Sequence, residues 1–358
     1  MFIEKLLQLM AEKKASDIFI SAGSPISIKI TGSIMPVNPA MMDAEQTKKI
    51  CYEMLTATQI ETFEKTQELN FSKPMPGLGN FRVNCFWQKG TCGLVIRYIT
   101  SDIPKMQDLS LPQVLASLIM EKRGLVLVVG ATGSGKSTTL ASMIDFRNMA
   151  GPGHILTMED PVEYVFTPKK SIINQREIGN DTEDFLAALR AALRQDPDVI
   201  LIGEMRDTET VRAALQAAET GHLVLSTLHT TDATETVNRV IDFFPPYQQK
   251  QVRLALAASL RGIVCQRLVP TVDGGRVPAL EILVNTGRVA ERIEDPDSTS
   301  EIKEVIKDGA FYGMVTFDQW LLRLIQEGTV SVADAMQAVS SRHDFELAMQ
   351  QAGIAVPV

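Results

Sequence analysis

The chain has 358 residues, more than one typical domain of roughly 100–200, so two or three compact units are expected. Apolar residues make up 45% and charged residues 22%, which excludes a disordered, collagen-like or purely coiled-coil chain. With 35 Lys and Arg against 43 Asp and Glu, the net charge of −8 gives no global signature of a nucleic-acid binder, although a local basic groove stays open.

In chain order, Ile3, Leu6, Leu7 and Met10 fall at i, i+3, i+4, i+7 and predict an amphipathic helix. Asp17–Ser21 and Ser27–Ile30 read as short strands around the Gly23–Pro25 turn. A helix over Ala44–Leu55 and strands over Gly79–Phe86 and Gly93–Ile99 complete a small α/β domain, residues 1–100. Residues 101–112 carry two prolines and read as a linker. From 113 to 285 strand-like and helix-like segments alternate, which predicts a parallel sheet with helices on both faces. Residues 286–358 read as helices, Ser300–Asp308, Thr316–Glu327 and Val332–Ala338, followed by a polar tail.

Cys51, Cys85, Cys92 and Cys265 form no CxxC pair, which argues against a four-thiolate zinc site and points to a reducing compartment. No apolar run approaches the ~18 residues that span a bilayer. The first residues, with charges inside their apolar stretch, do not read as a signal peptide. The expectation is a cytosolic protein that meets membranes only through a partner.

The strongest chemical signal is Gly130-Ala131-Thr132-Gly133-Ser134-Gly135-Lys136-Ser137, a full GxxxxGK[ST]. An apolar run, Gly124–Val129, precedes it, and a helix-like segment from Ser137 and Thr138 onward follows. That context lets backbone N–H groups and a helix N-terminus cradle phosphate. Lys136 would reach the β- and γ-phosphates and Ser137 would ligate Mg²⁺.

Val199–Ile202 followed by Gly203-Glu204 has the shape of a Walker B strand, with Glu204 supplying the carboxylate where Asp often stands at 203. Glu159, Asp160 and Glu163 cluster at another strand end, and Pro161 could aim Glu163 at the γ-phosphate; the alternative is a solvated acidic turn. His222 and His229 flank a β-leaning run. In a strand they would lie ~23 Å apart on opposite faces, from ~3.3 Å per residue, so they are no metal pair. His229 could sense the γ-phosphate, and a packed histidine is the alternative, more so for His222. Arg82, Arg97, Arg190, Arg194, Arg206 and Arg239 lack obvious local partners. If subunits form a ring, Arg82 or Arg97 could reach a neighbour's nucleotide and stabilise transferring charge in trans; surface or salt-bridged arginines are the alternative.

These residues occur in blocks: ATGSGKST (131–138), MEDPVEY (158–164), NQREIG (174–179), ALRAALRQDPDVILIGEMRD (188–207) and TGHLVLSTLHTTDA (220–233), with ASDIFISAGSPISIKITG (15–32) near the start. Over nearly its whole length the chain resembles the type IV pilus retraction ATPases, PilT and PilU, of the secretion ATPase superfamily. The resemblance implies a PAS-like α/β N-terminal domain joined to a RecA-like P-loop ATPase domain with a helical C-terminal part. It implies ATP and Mg²⁺ as cofactors and assembly as a homohexamer. It places the protein in the cytoplasm, at the cytoplasmic face of the inner membrane, acting on a platform protein to retract the pilus. By motif, Glu163 is the catalytic glutamate, Glu204 the Walker B acid, His222 and His229 the His-box pair, and Arg82 and Arg97 the intersubunit arginines.

The stretches 122–138, 146–164 and 243–277 lie closer to PilU, and Asn285–Glu294 departs from the PilT pattern. A PilU-like motor that works beside a PilT-type ATPase is the implied reading. A nucleotide-binding accessory subunit with little turnover is the alternative. A nucleic-acid translocase is disfavoured by the acidic balance and by the lack of aromatics interleaved with basic residues.

Overall fold

The computed structural model describes residues 2–30, 32–99 and 102–355. The chain divides into two compact units. One comprises Met1–Asp102 with Pro161–Phe166 and Gly179–Asp181; the other holds Ile103–Asp160, Thr167–Ile178 and the chain from Thr182 on.

The first unit is built on six strands: β1 (Asp17–Ser21), β2 (Pro25–Ile30), β3 (Ser33–Met41), β4 (Glu68–Met75), β5 (Gly79–Gln88) and β6 (Thr91–Ile99). They form an antiparallel sheet in the order β3-β2-β1-β6-β5-β4. Period-two alternation sorts its faces. Ile18, Ile20, Phe81, Val83, Cys85, Leu94 and Ile96 are buried in one core with the helices Phe2–Glu12, Ala44–Met54 and Ala57–Thr66. The first helix buries Ile3, Leu6, Leu7 and Met10, as their spacing predicts. The strand β3 is exposed along nearly its whole length and carries Pro36 and Pro39, so no alternation marks it in the sequence. The helix Ala57–Thr66 has a capping box between Thr56 and Gln59, a start signal that is independent of hydrophobic periodicity.

The second unit carries seven strands: β7 (Gly124–Val129), β8 (His154–Glu159), β9 (Ile172–Glu177), β10 (Val199–Ile202), β11 (Leu223–Leu228), β12 (Leu260–Pro270) and β13 (Arg276–Val284). Their order is β13-β12-β7-β11-β10-β8-β9. The strands from β12 to β9 are all parallel, and β7, β10 and β11 are buried at every position, which is why they read as continuous apolar runs. The sheet is not wholly parallel as the alternation suggests. A short turn at Thr271–Gly275 sends β13 back antiparallel along β12, and no crossover helix intervenes.

The expected polar tail is also different. Residues Arg342–Gln351 form a helix capped by Ser341, with Phe345 and Met349 fully buried one turn apart. Two apolar anchors in an otherwise charged stretch give too weak a period to predict it. Among the described residues, no helix is long and apolar enough to cross a membrane.

Candidate nucleotide site

Parallel strands bring their C-terminal ends to one edge of the sheet, and that edge collects the predicted chemistry. The loop 130–135 leaves β7, His229 follows β11, Glu204 follows β10, and Glu159 and Asp160 end β8. With β11 hydrogen-bonded between β7 and β10, the acid and the loop are one strand apart.

The loop is shaped by its glycines and by β12 beneath it. Gly130 has φ +148°, and a Cβ there would lie 2.3 Å from the Gln266 carbonyl oxygen, so only glycine fits. Gly135, in the left-handed region, ends the loop and precedes the helix Lys136–Ala150, whose N-terminus has no side-chain cap. The Lys136 ammonium donates to the carbonyls of Gly130 and Ala131 at 2.7 and 3.0 Å and so lies over the loop. Ser134 is buried, and its hydroxyl finds no hydrogen-bond partner among the described residues. A helix start without a side-chain cap, an orphaned buried hydroxyl and a lysine folded over the turn fit a phosphate chain. Ala131, Thr132 and Gly133 are exposed at the turn, and Ser137 and Thr138 lie half-buried in the first helical turn.

Beside the loop is a cavity of about 550 Å³ lined by Gly135, Thr138, Thr139, Gln266, Leu268, Gly275, Arg276 and Pro278. Its size suits a small organic ligand. Gln266, 2% exposed, accepts the Thr139 hydroxyl proton at 2.8 Å, so its side chain holds the first turn of the helix while its backbone carbonyl packs closely against Gly130. Sequence reasoning missed Gln266; a polar residue inside the apolar run 263–269 was the available signal.

Glu204 sits in a network of its own. Its carboxylate takes the Arg206 guanidinium at 2.8 Å and faces His229 Nε2 at 3.4 Å. Burial pushes the Glu204 carboxyl up, but the hydrogen bond and charge of Arg206, with His229 adding to them, outweigh it and hold the group below the ordinary carboxylate range. Arg206 also lies 4.0 Å from Asp160, so it bridges the ends of β10 and β8. The sequence marked Arg206 as unpartnered and gave it no role here.

Gly203, where Asp often stands, has a packing reason. A Cβ there would come within 3.2 Å of the Met158 carbonyl oxygen on β8. The Thr227 hydroxyl donates to the Gly203 carbonyl at 2.7 Å and holds this turn in place. At the end of β8, Glu159 accepts from Thr157 at 2.6 Å and Gln175 at 3.3 Å, which ties it to its own sheet.

The other predicted residues stand on other elements. His222 precedes β11, at the opposite edge of the sheet from the loop, with Nδ1 3.2 Å from the Ala217 carbonyl. Within one chain it does not meet the loop. Glu163 lies in Pro161–Phe166, which belongs to the first unit. Arg82 and Arg97 stand on the face of the first sheet opposite its core, as cross-strand partners on β5 and β6. Arg97 Nε donates to the buried Asp17 at 2.8 Å and Arg82 Nε to Asn70 at 3.2 Å.

A buried parallel sheet with a glycine-rich loop, its lysine and a neighbouring strand-end acid defines a P-loop ATPase core of the RecA-like kind. The chain belongs to the Type II/IV secretion system protein family, whose profile matches residues 1–352. It is 44% identical to the type IV pilus ATPase PilU of Pseudomonas aeruginosa, over 97% of this chain and 91% of that one. It is 43% identical to the pilus retraction ATPase PilT of the same organism, over 96% of this chain and all of that one. The crystal structure of the retraction motor PilT with bound ADP superposes with a TM-score of 0.88 at 43% identity, covering 96% of this chain and 99% of that one.

Proposed function

We propose that this protein is a hexameric ATPase motor that drives type IV pilus retraction, of the PilU kind. The observation that carries the reading is the convergence of the phosphate loop, Glu204 and His229 on one sheet edge, in a chain related over nearly its full length to PilU and PilT.

In this reading the loop 131–138 and Lys136 hold the triphosphate of ATP, and the cavity beside them takes the nucleoside. Ser137 and Glu204 would hold Mg²⁺, which supplies charge neutralisation on the β- and γ-oxygens when bound. Arg206 keeps Glu204 ionised for that task, and His229, touching the same carboxylate, reports the state of the γ-phosphate to the helix that follows it. Glu163 orients the attacking water, and Arg82 and Arg97 reach a neighbouring subunit's nucleotide. The proposed partners are further copies of this chain, an inner-membrane platform protein and a PilT-type ATPase, with action at the cytoplasmic face of that membrane.

ATP turnover of the assembled protein with Mg²⁺, wild type beside Lys136→Ala, tests the reading. Turnover that the substitution abolishes is expected. ATP binding without turnover, alone and with a PilT-type partner, would replace the motor with an accessory nucleotide-binding subunit.

A further inference from the structure

The ATPase unit buries a carboxylate that the site described above does not use. Glu281 lies on β13, directly across the ladder from Cys265 on β12, and is 3% exposed. A carboxylate out of water needs hydrogen bonds to offset its desolvation. Glu281 Oε1 accepts the backbone N–H of Ala233 at 2.9 Å. Ala233 opens the ten-residue helix Ala233–Asp242, whose N-terminal end favours negative charge. Asp232, Cys265, Arg267 and Lys303 are the ionisable groups around it.

His229 lies four residues before Ala233, and the chain between them is tied into one piece. The Thr230 and Thr236 hydroxyls are 2.7 Å apart. Thr231 donates to Glu235 from its N–H at 2.7 Å and its hydroxyl at 2.6 Å, and Glu235 N–H returns to Asp232 at 2.8 Å. A segment so bonded moves as a body. Among the described residues, the one hydrogen bond that reaches Thr230–Thr236 from outside residues 229–242 is the bond from Glu281.

We propose that Glu281 is a positioning residue for His229: its bond to the start of the helix fixes the pre-tied loop, and with it the approach of the imidazole to Glu204. The proposal rests on the reading of Glu204 and His229 as the groups that answer to nucleotide. Glu281 is in neither the phosphate loop nor the lining of the cavity beside it, so it governs turnover more than affinity, because small misplacements near the chemistry cost rate.

The test uses the full-length assembled protein with Glu281→Ala, Glu281→Gln and Ala233→Pro. Proline is tolerated at the first helical position, and Asp232 already has the extended backbone it requires; the proline ring carbon Cδ takes the place of the donated proton, so Ala233→Pro removes the donor and crowds the Glu281 carboxylate. Hydrogen exchange of the peptide covering 229–236 and the ATPase constants with Mg²⁺ are read together. Glu281→Ala and Ala233→Pro are each expected to speed exchange in that peptide about tenfold, with β7 and β10 unchanged. Both are expected to lower kcat about tenfold with KM within about threefold. Glu281→Gln keeps an acceptor oxygen and restores both values to within about threefold of wild type.

Wild-type exchange and kcat in Ala233→Pro would overturn the proposal, and this holds even if Glu281→Ala fails to fold. A parallel loss of kcat and affinity in Glu281→Gln would overturn it as well. Exchange needs no turnover. An inactive wild type would therefore count against the motor reading, while the 229–236 peptide would still decide this one.

Discussion

Arg82 and Arg97 face each other across β5 and β6, and the row they stand in runs Lys29, Asp17, Arg97, Arg82, Ser72 across five strands. Like charges directly opposite each other cost stability. Here three cations share one carboxylate, since Asp17 pairs with Arg97 while Arg82 has only the neutral Asn70. A row left with excess positive charge is suited to an anion from elsewhere. Arg97→Ala leaves a buried Asp17 without its main partner, at a cost of about 1–3 kcal/mol. Arg82→Ala removes an exposed contact and should stay within about 0.5 kcal/mol. Thermal melts should separate the two, while ATP turnover of the assembled protein should fall at least about tenfold in both. Full turnover in Arg82→Ala would remove it from the trans role.

The Arg206–Glu204 pair makes a pH prediction. With its carboxyl held below the ordinary range, Glu204 stabilises the folded state above its unfolded pKa, and the contribution is lost as pH falls through the lower folded value. In Arg206→Leu, burial remains and the main opposing charge is gone, so the folded value moves up. The acid limb of the ATPase pH profile should then rise to higher pH than in wild type. An unchanged limb would show that Arg206 does not set the state of Glu204.

Gln266→Ala removes the acceptor of the Thr139 hydroxyl, itself 1% exposed, and the support under Gly135. An orphaned buried donor costs about 1–3 kcal/mol. The expected result is a lower melting temperature together with weaker binding of a fluorescent ATP analogue. Gln266→Glu keeps the acceptor but buries a charge with a single hydroxyl as partner, so it should not restore the stability lost in Gln266→Ala. Unaltered nucleotide binding in Gln266→Ala would separate β12 from the loop.

Phe345→Ala tests the C-terminal helix. The ring is fully buried, so its loss should cost about 3–5 kcal/mol locally. Hydrogen exchange should rise over 342–351 and over the helix Phe317–Gln326 that it packs against, while β7 and β10 stay protected. If exchange there did not change, the helix would carry no share of the fold's stability.

Much of the fold was legible because local physics dictates it. The first helix follows from four apolar residues at helical spacing, and β7, β10 and β11 from buried runs too short for helices. The phosphate loop was readable because its glycines, lysine and serine answer to backbone geometry within eight residues, and Glu204 because a strand-end acid is a one-dimensional pattern. What needed three dimensions involved partners far apart in sequence. Arg206 bridges two strand ends, Gln266 reaches Thr139 across 127 residues, and Glu281 holds Ala233 across 48. The reversal of β13, the exposed strand β3 and the helix at 342–351 also lay outside the pattern, since each is stabilised by what it packs or pairs against and not by its own periodicity. A sequence displays the chemistry a segment carries, whereas only the tertiary structure decides which segments share an edge, because hydrogen bonds and burial between distant residues leave no spacing to read.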